Sequence, residues 1–288
     1  MIRLLPIGSR STSLVSAVNV SLFHHHLNRS FLQGFVMKNY STYFDYEYDL
    51  GRDVVSGSLS DFDIAIQGKS ILDIGCGEGG VLAGLNEKNS FNGLGIDYDE
   101  EMIRKSRPVD NVEFKCVNFL ETDITGSYDI ILLRDVLEHC GNPQQFLGKV
   151  SEHLHESSYV YVTYTPFYSP FGGHQHNGSG VFSNFPYLQV LPRGLFNRLI
   201  SPQGNMYKEK EDLIKDFNEI RETCLTTNSV LKHCEQFGMK VHASRAFIIR
   251  PDYKYKFGLQ PVKLPAFLPL SSVTDVFCTS VEMILTKA

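Results

Sequence analysis

Apolar residues recur along this chain in two rhythms. Short runs in which nearly every position is apolar predict strands buried on both faces of a sheet: Ile71-Leu72 with Ile74, Tyr128-Asp-Ile-Ile-Leu-Leu133 and Tyr159-Val-Tyr-Val-Thr-Tyr164. Phe91 to Ile96 and the alternating Val112-Glu-Phe-Lys-Cys-Val117 predict two more, and residues 239–250 and 273–286 supply the last two strand patterns. The longer rhythm is helical. Tyr43 to Asp49, followed by Gly51-Arg52-Asp53-Val54-Val55, reads as a lead-in helix or two. Val81 to Leu85 opens another helix, and Asp99-Glu100-Glu101 puts acids where the helix dipole favours them. Asn142-Pro143 is a helix entry, with Phe146, Leu147, Val150 and Leu154 on one apolar face. Residues 209–237 are helical in character, with Leu213, Ile214, Phe217, Ile220, Leu231 and Phe237 spaced for burial and Gly238 as the stop.

Strands alternating with helices give an α/β fold with helices on both faces of the sheet. Residues 166–225 exceed that plan. They form a Gly- and Pro-punctuated insertion after strand five, at the sheet edge where substrate lids form. One domain over residues 40–288 accounts for the length. Residues 1–39 read as a disordered arm: the first 44 residues hold no Asp or Glu, which fits either a transit peptide or a true start at Met37. His24-His25-His26 lies in that unpatterned arm and is given no role.

Composition narrows the partners. A net charge of −5 lacks the concentrated basic face that a nucleic-acid substrate needs. No apolar run reaches the ~20 residues of a membrane-spanning helix. The six cysteines are scattered with no C-x-x-C pair, which argues against a thiolate zinc site and for reduced thiols in the cytoplasm.

The chemistry centres on Ser70-Ile-Leu-Asp-Ile-Gly-Cys-Gly-Glu-Gly-Gly80, a strand, a glycine loop and a helix start. Bare backbone there lets a ligand approach closely, with amide groups at the helix N-terminus aimed at it. Gly75, Gly77 and Gly80 satisfy G-x-G-x-x-G, and Asp97 follows at the ~20-residue distance of a ribose-binding acid. That much also fits an NAD(P)-dependent oxidoreductase. Asp73, two residues before the first glycine, separates the two: its carboxylate would repel a pyrophosphate but suits a cationic amino group.

Asp73-Ile-Gly-Cys-Gly77, with Gly95-Ile-Asp97 closing the next strand, resembles motif I and the following acidic motif of class I S-adenosylmethionine-dependent methyltransferases. The resemblance implies a Rossmann-like seven-stranded sheet whose last strand is antiparallel, inserted between strands five and six. It implies S-adenosylmethionine held by Asp73, Ile74, Gly75, Cys76, Gly77, Asp97, Tyr98, Asn118, Phe119, Arg134 and Asp135. Asn118 stands where the family commonly has Asp facing the adenine amino group. N-terminal aromatics often close over the cofactor in this family, which makes Tyr46 and Arg52 candidates.

Arg134-Asp135-Val-Leu-Glu138-His139 resembles the motif after strand four in small-molecule methyltransferases, including the ubiquinone-biosynthesis O-methyltransferases. By that likeness Asp135, Glu138 and His139 are candidate ligands for Mg²⁺. Gly172-Gly-His174-Gln-His176 resembles bacterial methyltransferases of surface-glycan or secondary metabolism. His174 and His176 are candidate catalytic bases, both rings on one side if the backbone there is extended. Thr165-Pro-Phe-Tyr168 resembles the Pro-Pro-Tyr motif of DNA amino-methylating enzymes only superficially, since it follows strand five rather than four. The expected function is O-methylation of a small-molecule acceptor. The alternatives are hydride transfer with NAD(P) and a non-catalytic cofactor-binding module.

Overall fold

The computed structural model describes residues 40–178, 181–200 and 210–288; the N-terminal arm lies outside them. Strand β1 (Ser70–Ile74) is paired in parallel with β2 (Asn92–Asp97) on one side and β4 (Tyr128–Arg134) on the other. Beyond them lie β3 (Val112–Cys116) and β5 (Leu154–Tyr164), also parallel. The chain therefore leaves β1 in one direction and returns on its other side. At such a reversal the connections diverge and a crevice opens outside the carboxyl ends of the strands. β8 (Ser280–Lys287) is inserted antiparallel between β5 and β6 (Met239–Ile249), as the family topology implies.

Two-sided burial explains the nearly continuous apolar strands. Ile71, Ile130, Leu132, Tyr161 and Ile284 face one layer, packed on Val55 and Leu59 and on Val81, Leu82 and Leu85 of α3 (Gly80–Asn86). Leu72, Ile74, Ile131, Leu133, Val160 and Val162 face the other, against Phe146, Leu147 and Val150 of α5 (Pro143–Glu152) and Val230 and Cys234 of α8 (Thr227–Gln236). Each such side chain contributes about 1.5–3 kcal/mol on burial. Asn142 caps α5 by accepting the Gln145 amide, with Pro143 at the first helical position.

The structure corrects several expected boundaries. The sheet has eight strands: β7 (Val262–Lys263) adds a two-residue antiparallel edge to β6. The last strand starts at Ser280, because Thr274–Phe277 is a 3₁₀ turn instead. Leu154 opens β5 rather than closing α5, which ends at Glu152. The stretch 209–237 is two helices, α7 (Lys210–Thr223) and α8. Cys224 turns left-handed between them (φ 44°), and the Thr226 hydroxyl accepts the Ser229 amide to start α8. Within α7, Leu213, Phe217 and Ile220 are buried as expected, but Ile214 is exposed.

The N-terminal lead-in is one continuous helical run: α1 (Tyr43–Asp49), a π-helical turn (Leu50–Val55) and α2 (Ser56–Asp61). It lies at backbone contact with α3. A Cβ on Gly84 would stand 2.0 Å from the Tyr48 carbonyl oxygen, and one on Gly80 2.5 Å from that of Phe44. Glu78, in the glycine loop, accepts the Phe44 amide at 2.9 Å and so fastens the start of α1 to the loop. Among the described residues, no helix is long and apolar enough to cross a membrane.

Candidate functional site

The crevice at β1 is a cavity of about 500 Å³. Lining it are all the residues expected to hold the cofactor: Asp73, Ile74, Gly75, Cys76, Gly77, Asp97, Tyr98, Asn118, Phe119, Arg134 and Asp135. The loop's shape comes from left-handed Gly75, Gly77 and Gly79 (φ 79°, 56° and 80°), a region that strains a side-chain-bearing residue. The amides of Gly75 and Cys76 both donate to the Ile96 carbonyl, at 2.8 and 3.0 Å, which pins the loop to β2. Asp97 accepts the Gly77 amide through Oδ2 and the Asp99 amide through Oδ1, each at 2.9 Å. Asn118 Oδ1 accepts the Leu120 amide at 3.0 Å, so here it shapes its own turn.

Asp73 is 3% exposed, and its Oδ2 has no hydrogen-bond partner. Burial pushes its carboxyl up to about 7 despite the opposing charge of Arg134, and Asp97 adds to the rise. Glu47, on α1 and lining the same cavity, is in the same condition. It is 5% exposed and its Oε2 is unpartnered. Burial foremost, with Arg134 opposing, leaves it at about 8. Sequence reasoning missed Glu47. It singled out Tyr46, which is buried in a separate aromatic cluster, and Arg52, which pairs with Asp49 and Asp53. The helical spacing that puts Tyr43 and Glu47 on one face was readable, but the contact of that face with the loop was not.

Beyond β4, Arg134 pairs with Asp252 at 3.1 Å, and Asp135 pairs with Arg250. Asp135 is left-handed (φ 53°), its amide donating to the Thr163 carbonyl at 2.9 Å and its Oδ1 accepting the Thr163 hydroxyl at 3.2 Å. Burial raises the Asp135 carboxyl, but Arg250 and Arg134 outweigh that and hold it below the ordinary range. Lys256 also lines the cavity, lowered to about 8 by burial first and then by Arg250.

The two candidate catalytic histidines differ in their surroundings. Residues Gln175–Asn177 form a 3₁₀ turn entered through a left-handed His174 (φ 51°), not the extended backbone expected. His174 lines the cavity, its Nε2 3.9 Å from Glu138 Oε1 and its ring 5.1 Å from that of His139. His176 is absent from the lining and packs edge-on to Phe171. Burial, then Lys256 and Arg250, lower it to about 3, which keeps the ring neutral.

The expected metal set does not assemble. Asp135 is engaged by its arginine, and Glu138 Oε1 accepts the Thr165 amide at 3.0 Å. Glu138 and His139 come within 4.8 Å of His174 instead, and His139 likewise of Asp216 and Glu219 on α7. The first of these sets, two imidazoles and one carboxylate, does not fit Mg²⁺, which takes oxygen ligands in near-octahedral array.

A family model for a methyltransferase domain matches residues 52–190. The (S)-tetrahydroprotoberberine N-methyltransferase of Eschscholzia californica is 31% identical over 103 residues, covering 33% of this chain and 29% of that protein. The ubiquinone biosynthesis O-methyltransferase of Rickettsia akari is 32% identical over 89 residues, covering 29% of this chain and 35% of that protein. The chain thus spans about a third of the length of these curated relatives. Among solved structures it is similar to the plantazolicin methyltransferase BamL in complex with a triazolic desmethylPZN analog and SAH. That match has a TM-score of 0.51 and 17% identity and covers 86% of each chain. Residues 52–190 thus match a methyltransferase domain, and the fold is similar to that of a methyltransferase solved with SAH.

Proposed function

We propose that the protein methylates a small-molecule acceptor, at oxygen, with S-adenosylmethionine held in the β1 crevice. The observation that carries this reading is Asp73, with its unpartnered oxygen buried beneath the glycine loop. A buried carboxylate without a partner is costly. An ammonium group relieves that cost, whereas a dinucleotide pyrophosphate aggravates it. Asp97 would accept the ribose hydroxyls, and Phe119 and Tyr98 would border the adenine. Lys256, one of the cations lining the cavity, suits the cofactor's carboxylate. The group bound there supplies an activated methyl. What remains for the chain is to align the acceptor, exclude water and receive the acceptor's proton.

Oxygen is favoured as the nucleophile because His174 lines the cavity beside Glu138. An imidazole with a carboxyl beside it is a side chain suited to take a hydroxyl proton. The described parts of residues 166–225, which leave out 179–180 and 201–209, would form the lid: His174 and Asn177 come from its first half, and Lys215, Asp216 and Glu219 from α7.

Calorimetry with S-adenosylmethionine, S-adenosylhomocysteine and NAD tests the cofactor. The first two should bind and NAD should not; binding of NAD alone overturns the reading in favour of hydride transfer. Asp97→Ala should weaken cofactor binding by about 2 kcal/mol, the worth of two lost charge-assisted hydrogen bonds. Single-turnover methyl transfer to a candidate acceptor then separates an enzyme from a binding module.

A further inference from the structure

Two buried carboxylates, Asp73 and Glu47, line the same cavity at the glycine loop, and the proposed cofactor contacts employ only Asp73. Asp73 lies beneath the loop at the end of β1. Glu47 hangs over it from α1: a Cβ on Gly77 would meet Glu47 Oε2 at 3.2 Å, with Tyr43 beside it at 3.6 Å. That oxygen is the one without a hydrogen-bond partner. The charged groups acting on Glu47 come from every side: Arg134 from β4, Asp73 from β1 and Glu78 from the loop, with Tyr43 of its own helix as a hydrogen-bonding neighbour. Arg134 is the cation among them, and it is already paired with Asp252 at 3.1 Å. A carboxyl this buried, beside two other acids, gives up its proton more readily when a further positive charge arrives.

The methyl donor brings two positive charges, an ammonium and a sulfonium. The ammonium is present before and after reaction; the sulfonium charge is not. As the acceptor's lone pair forms its bond to the methyl carbon, the carbon–sulfur bond breaks and its electron pair stays on sulfur as an uncharged thioether. The acceptor releases one proton. Asp73 suffices for the charge that persists, which leaves Glu47 for the charge that disappears.

We propose that Glu47 reads the charge of the cofactor: it is ionised opposite the sulfonium and protonated opposite the thioether, so the pocket discriminates methyl donor from demethylated product. The inference rests on the cofactor reading of the β1 crevice. The proton count closes once His174 gives the acceptor's proton up to solvent and Glu47 takes one up, so the cavity ends the reaction with the charge it began with. Product then sits over a neutral acid that no longer attracts it, which favours release.

The test is a binding experiment on the full chain, independent of any acceptor. Titrations of S-adenosylmethionine and S-adenosylhomocysteine at pH 7.5, in buffers of different ionisation enthalpy, give both affinity and proton exchange. The wild-type protein should release up to about one more proton on binding the donor than on binding the product. Glu47→Gln should weaken the donor by about tenfold or more while changing the product by less than about twofold, and the proton difference should vanish. Glu47→Asp, which keeps the charge, should restore the preference. Unchanged product affinity in the Gln variant doubles as the control for folding. Equal weakening of both ligands, or persistence of the proton difference in Glu47→Gln, overturns the proposal. If the wild-type chain binds neither ligand, the cofactor reading itself fails.

Discussion

A carboxyl group with one oxygen sealed from water and no donor aimed at it costs the ligand-free protein stability whenever it is ionised. Glu47 is such a group, raised by burial to about 8 from an ordinary value of 4.5. The sign follows from proton counting. Between those two values the folded chain holds a proton that the unfolded chain has lost, so stability falls as pH rises through this window. Full ionisation would cost on the order of 4 kcal/mol, and Asp73 and Glu138 add to the slope in the same sense. Glu47→Gln should therefore match wild type near pH 5 and exceed it by a few kcal/mol near pH 8. Guanidinium midpoints of the ligand-free proteins across that range would show it; parallel curves would mean Glu47 is solvated or already paired. The histidines divide at the same scale. Once an acceptor is in hand, His174→Ala should lose about 10²–10⁴-fold in rate with cofactor affinity kept. His176→Ala, outside the cavity lining, should lose far less. Rates near wild type for both would place the base elsewhere.

At the scale of elements, α1 matters because it delivers Glu47 to the loop, and glycines set its distance. Gly84→Val would drive a side chain into the Tyr48 carbonyl, 2.0 Å from the Cβ position, where backbone cannot yield cheaply. The expected loss is about 1–3 kcal/mol or more in stability, together with weaker cofactor binding, since α1 must lift from α3. Normal cofactor affinity in a folded Gly84→Val chain would show that α1 is dispensable to the site. Elements of this kind also mark how far sequence carries. The strands were readable because burial on both faces leaves almost no polar position in Ile130 to Leu133 or Val160 to Tyr164. The glycine loop was readable because its left-handed backbone restricts which residues can stand there. Leu154 was misplaced since an apolar residue fits a helix face and a strand equally well. The break at Cys224 carries no Gly or Pro to announce it. Glu47 and Lys256 were hidden for another reason: each reaches the cavity from a helix placed there by long-range contacts that no local spacing encodes.

For the whole molecule, the question is what joins the C-terminal strands to the edge where the cofactor would sit. The link is ionic and buried. Asp252, at the start of α9 (Asp252–Phe257), receives Arg134 at 3.1 Å and Arg250 at 2.9 Å, while Arg250 also engages Asp135 and, at 3.3 Å, the Thr165 hydroxyl. Asp252 and the two arginines have side chains only 9–12% exposed. A comparable pair, Arg245 with Asp61 at 2.7 Å, has its carboxylate 59% exposed. Burial decides which pair matters. Removing one member of a desolvated network strands the remaining charges and costs about 3–5 kcal/mol, whereas a solvated pair is worth at most about 1 kcal/mol. Asp252→Asn should thus cost several-fold more stability in urea than Asp61→Asn. It should also bring acid unfolding to higher pH. Asp135 is held below its ordinary value by these arginines, so its contribution is present above that value and is lost as pH falls through the depressed one. With Asp252 neutral, Asp135 is the remaining carboxylate partner of Arg250, and its protonation at low pH leaves two buried arginines unanswered. Equal costs for the two asparagine variants, or an acid limb that does not move, would mean that packing alone, and not this network, holds the C-terminal strands to the crevice.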